Sequence, residues 1–154
     1  MRWFGILALP VLCACAAPAT EPPYVDPSDR STMGLAPGVK MIEVSSASFS
    51  GSTSTRIYAD GTVIGDTSAP GQKPEHNVQH VDPAAYARAA VVLGREGLKA
   101  KAAIKPQAQQ CLDYGTDLVR AVPPVAGFEQ ATASCPDMAM SGLMTHVLAA
   151  LAHP

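Results

Sequence analysis

The chain has 154 residues, enough for one domain and little more. Charge is balanced, with 11 Lys and Arg against 13 Asp and Glu; the basic excess that a phosphate backbone or an anionic lipid surface requires is missing, which argues against nucleic acid as a partner. Aromatic residues are few (one Trp, four Tyr, three Phe), so a core of Val, Leu, Ile, Met and Ala is expected rather than one of large rings.

The amino terminus carries the strongest signal. Arg2 precedes an apolar stretch over residues 3–12, small residues follow, and then comes the polar, proline-broken Thr20-Glu21-Pro22-Pro23. This is the order of a secretory signal peptide. A membrane-spanning helix needs roughly 20 apolar residues, and this run is shorter and contains Gly5 and Pro10.

Leu12-Cys13-Ala14-Cys15 resembles a bacterial lipobox, in which a branched apolar residue and two small residues precede the modified cysteine. The resemblance covers only the first 15 or so residues, and Cys13 stands where Ala, Ser or Thr is more usual. It implies a signal peptide over residues 1–14, a diacylglyceryl group on the Cys15 thiol, and acylation of the new amine. Two or three acyl chains hold a soluble domain on a bilayer where one binds only marginally. The implied partner is membrane lipid, and the implied location is the bacterial cell envelope, facing the periplasm. Ala16, not Asp, follows the cysteine, which in this family favours the outer membrane. The alternative is simple secretion of a non-lipidated domain, cut after Ala16 or Ala19.

Residues 15–38 are rich in Pro, Ala, Thr, Ser and acidic groups and read as a lipid-anchored, flexible tether. About 23 such residues reach roughly 25 Å when coiled and roughly 70 Å as extended polyproline II. Residues 39–154 then form a single α+β domain. Residues 39–47 read as a strand, 48–54 as a Ser/Gly/Thr-rich turn, and 55–59 with 62–65 as a hairpin about Asp60-Gly61. With a two-residue loop, Ile57 would lie opposite Ile64, and Tyr58 opposite Val63. The polar stretch 66–80, with two prolines, reads as a loop. Asp82-Pro83 starts a helix whose apolar face is Tyr86, Ala89, Ala90 and Leu93, ended by Gly94 or Gly97.

Residues 117–122 and 128–135 read as a second hairpin around Pro123-Pro124-Val125-Ala126-Gly127. Val122 opposite Phe128 would bring Cys135 opposite Gly115. Pro136-Asp137 begins a last helix with the stripe Met140, Leu143, Met144, Val147, Ala150 and Leu151. The order is β-β-β-α-β-β-α: a small antiparallel sheet of about five strands in two hairpins, with two helices packed on one face.

Once Cys13 leaves with the signal and Cys15 is lipidated, Cys111 and Cys135 remain, and in an oxidising compartment such a pair closes into a structural disulfide. His76 and His80, four apart with Glu75 and Asp82 close by, are candidate metal ligands. Pro74 and Pro83 bracket them, no third or fourth ligand is evident, and a solvated loop is the plainer reading. Met138, Met140 and Met144 with His146 invite a copper reading, but Met140 and Met144 belong to the core stripe. Asp113 and Asp117 are candidate ligand-binding residues beside Cys111, although paired acids around a turn more often cap it. No GxSxG elbow, Walker loop or GxGxxG occurs, so neither an enzyme nor a bound cofactor is expected. The expectation is a non-enzymatic envelope lipoprotein contacting another envelope protein or the cell wall, the alternative a small-ligand or metal-binding periplasmic module.

Overall fold

The computed structural model describes residues 38–105, 111 and 115–152. The signal peptide, Cys15, nearly all of the tether and Asp113 lie outside the described residues. The body is α+β, with one antiparallel six-stranded sheet and two helical rods. The strands are β1 (Met41–Ser48), β2 (Gly51–Tyr58), β3 (Thr62–Ser68), β4 (Glu75–His80), β5 (Thr116–Val125) and β6 (Phe128–Ala133). Helix α1 (Ala84–Val92) runs through a π-helical turn, Leu93–Gly97, into α2 (Leu98–Ala103), and α3 (Met138–Ala152) closes the chain.

The spatial order is β4-β3-β2-β1-β5-β6. Antiparallel β1–β5 pairing, Ile42 on Ala121 and Val44 on Val119, joins the first meander to the second hairpin. Side chains alternate across each strand. Ile42, Val44, Ile57, Val63, Val119, Ala121 and Ala131 therefore share one face, and all are buried against the helices. Ala85, Ala89 and Leu93 supply the α1 side, and Met140, Leu143, Val147 and Ala150 the α3 side. Alanines on α1 let its backbone lie close to the sheet. Among the described residues, Phe128 is the fully buried ring of this core, with Tyr86 packed half-buried against the same cluster.

Four expectations are corrected. Residues 48–54 are not a turn: only Phe49 and Ser50 separate β1 from β2, with Ser48 paired to Gly51. The hydroxyls do not break the strand, because both neighbours saturate its backbone. The next hairpin has a three-residue loop, so Ile57 faces Val63 and Arg56 faces Ile64, one step from the expected register. Gly61, at φ 87, supplies the left-handed residue that closes such a loop; its N–H donates to Tyr58 O at 3.1 Å. Asp60 Oδ1 accepts from Thr62 N–H at 2.8 Å.

The stretch 66–80 contains the end of β3 and all of β4, which makes the sheet six strands rather than about five. All six β4 residues are exposed, so no apolar alternation marks it; backbone pairing to β3 alone makes it a strand. Finally, Gly94 and Gly97 do not end the first helix. A β-carbon on Gly97 would lie 2.7 Å from Cδ2 of Phe128, so this glycine makes room for a ring. The helix continues past it by absorbing one extra residue in the π turn.

The second hairpin keeps the expected register in its body, with Asp117 on Ala133 and Arg120 on Gln130. Near its tip β5 bulges through Pro123 and Pro124, which donate no backbone hydrogen bond, and the turn tightens to Ala126-Gly127 between Val125 and Phe128. Among the described residues, no helix is long and apolar enough to cross a membrane.

Candidate functional site

The sheet face turned away from the helices holds the side chains of the intervening positions. Glu43, in β1, stands in register between Arg56 of β2 and Arg120 of β5. Arg120 Nη2 donates to Glu43 Oε2 at 2.6 Å. Arg56 is turned instead to Asp66 of β3, donating to Oδ2. His76 Nδ1 donates to the other oxygen, Oδ1, at 2.7 Å, and Ser54 Oγ donates to Oδ2 at 3.3 Å. Two acids and two arginines thus interleave in cross-strand pairs, with a histidine at the β4 end. Nε of Arg56 and Nε of Arg120 are buried with no acceptor among the described residues. Leaving such a donor without an acceptor costs about 1–3 kcal/mol.

Burial pushes the Asp66 carboxyl up, but the hydrogen bonds from His76 and Arg56, with the charges behind them, outweigh it and hold the group below its ordinary value. Burial also raises the Tyr58 hydroxyl, against the pull of Arg56. A carboxyl titrating lower in the folded state stabilises the protein above its unfolded value, 3.8, and that stability is lost as pH falls through the folded value. Asp66→Asn is therefore expected to lower stability at pH 7 and to flatten the acid limb below about pH 4. Thermal unfolding of both proteins from pH 7 to pH 2 checks this; parallel acid limbs would sink it.

Cys111 and Cys135 are disulfide-bonded, their Cα atoms 5.3 Å apart. Gly115, just before β5, meets the end of β1 closely. That residue has φ +86, and a β-carbon there would lie 1.7 Å from Ala47 O. Only glycine fits. His76 and His80 are brought onto one strand rather than one helix face or loop. Four residues of antiparallel strand separate their Cα atoms by roughly 13 Å, too far for both to ligate one ion from one chain. His76 is instead joined to Asp66. Asp117 is buried on the helix-facing side, in register between Ser46 and Ala133, and Asp113 lies outside the described residues.

Met140 is fully buried, Met144 packs against the core and Met138 is 93% exposed, so these methionines do not converge. His146 Nδ1 pairs with Glu96 of the π turn at 2.6 Å. Among the described residues, no three His, Cys, Asp or Glu side chains are grouped to hold a metal ion.

The Glu43–Arg120 and Arg56–Asp66–His76 pairs were not foreseen. Their partners lie 77, 10 and 10 residues apart, and only strand register makes them neighbours. Alternation of Glu43 with Ile42 and Val44, and of Arg56 with Ile57, is the one local sign that these charges share a sheet face. No family model matches the chain, and no curated protein or solved structure matches it either.

Proposed function

We propose that the chain is a membrane-anchored lipoprotein of the bacterial cell envelope, cut before Cys15, acylated there and directed to the outer membrane. Its α+β body serves as a non-enzymatic module that contacts an envelope protein or the cell wall. The Cys111–Cys135 bridge carries the reading, because such bonds persist in oxidising compartments, and that is where a lipobox-type signal delivers a chain. The charge-paired sheet face supports it too: acids and arginines neutralise one another there, which suits a protein surface more than a phosphate or a reacting substrate.

Intact mass of the protein from a bacterial membrane fraction, before and after reduction, tests the reading. The expected mass is that of residues 15–154 plus diacylglyceryl and acyl groups, rising by two hydrogens on reduction. A lipid-free mass starting near Ala17 or Thr20 would replace the anchored lipoprotein with a secreted domain. A mass beginning at Met1 would remove export altogether.

A further inference from the structure

Strand β4 ends the sheet on one side, and among the described residues Glu75 is the one charged guard it carries and no element covers its exposed side chains. Natural edge strands carry lysine, proline or a bulge, or are covered by another element. Glu75–His80 contains neither lysine nor proline, pairs with β3 without a register shift, and is exposed along its whole length. The opposite edge strand, β6, by contrast buries Phe128, Ala131 and Ala133 and packs against α2 and α3.

The direction of the unused edge can be read from one hydrogen bond. Val81 N–H donates to Gly61 O at 2.9 Å, so Val81 points its backbone toward β3. Backbone groups alternate along an antiparallel strand. Gln79 and Asn77 therefore also face β3, whereas Val78 and His80 direct their N–H and C=O outward.

Val78 is apolar, 48% exposed, and paired in register with Ile64 on the face away from the helices. We propose that β4 is a self-association edge, on which a second copy of this chain pairs antiparallel about a two-fold axis at Val78. Partners in an antiparallel ladder must both direct their backbones at each other. Val78 meets that condition with Val78 of the second copy. The same register sets Asn77 beside Gln79 of the second copy, amide against amide. It places Glu75, the one formal charge of the strand, opposite Val81 rather than another acid. Ile64 and Val78 of each copy then form one apolar stripe across the junction, which removes Val78 from water. The two six-stranded sheets become one continuous sheet. The inference stands on edge geometry and does not depend on the lipid anchor.

The test is disulfide trapping of the full-length chain expressed in bacteria, read in whole cells so that anchored and unanchored protein are both counted. Paired residues facing each other in this way have Cα atoms about 5.5 Å apart, within the span a disulfide bridges. Val78→Cys under mild oxidation is expected to give a species of twice the chain mass, well above the wild-type background from the native cysteines. Gln130→Cys, on the other edge, is expected to stay at that background. Circular dichroism of both variants, matched to wild type, establishes that they fold. Monomer alone from Val78→Cys, equal trapping at Gln130, or an adduct of another mass would each overturn the proposal, the last by naming a different occupant.

Discussion

Phe128→Ala is expected to destabilise the body by about 3–5 kcal/mol, a fall in Tm on the order of 15 °C. The ring is fully buried at the first residue of β6 and meets the π turn at Gly97. Surrounding side chains are held by six paired strands and cannot collapse fully into the space it would leave. A partner experiment separates close approach from simple burial. Replacing a mid-helix glycine with alanine ordinarily gains about 1 kcal/mol. Gly97→Ala is expected to destabilise instead, because its β-carbon would lie 2.7 Å from the ring. In a Phe128→Leu background the clash is relieved and the same substitution should turn neutral or stabilising, a coupling that a double-mutant cycle reads directly. The chain's single tryptophan is Trp3, so far-UV circular dichroism is the suitable probe. A loss under about 1 kcal/mol for Phe128→Ala would show that burial of this ring contributes little to stability.

Reducing the Cys111–Cys135 bond is expected to cost a similar amount. The bridge joins residues 24 apart, and for a loop of about 25 residues the chain-entropy relation gives roughly 3.5 kcal/mol. The loop carries Gly115 and all of β5 and β6. Opening it frees the unfolded chain and also loosens the anchor of the second hairpin. Cys135 itself is buried, so its reduced thiol would still pack, and the loss should come mainly from the unfolded state. Thermal unfolding with and without reductant, with thiols counted to confirm reduction, is expected to show a fall in Tm of about 10–15 °C. An unchanged Tm with both thiols reduced would make the bridge incidental to stability.

Much of this architecture could be read before any coordinates. The apolar stripe of α3 was legible because helix period alone places Met140, Leu143, Val147 and Ala150 on one side, and all four are buried. The body of the second hairpin was legible too, because the Pro- and Gly-bearing segment 123–127 between two strand-like runs fixes its pairing to within a few residues. Errors fell where a residue's role depends on what lies across from it. Glu75–His80 has the composition of a loop and becomes a strand only because β3 offers it a ladder. Gly97 has the look of a helix stop and becomes an interior residue because Phe128 needs the room.

The candidate site divides in the same way. The sequence pointed to a Cys111–Cys135 pair through the expectation that Cys13 leaves with a signal and Cys15 is lipidated, and the structure joins the two. Residue types alone also nominated His76 and His80, but a four-residue spacing means one face on a helix and roughly 13 Å on a strand, so secondary structure had to decide. Only the tertiary structure put Glu43 beside Arg120, and Asp66 between Arg56 and His76. Local sequence determines what short-range periodicity and turn chemistry can encode: helices, hairpins and the apolar faces they present. Register, edge and cross-strand charge pairing are set by contacts between segments far apart in the chain, where a shift of one residue exchanges one face of the sheet for the other.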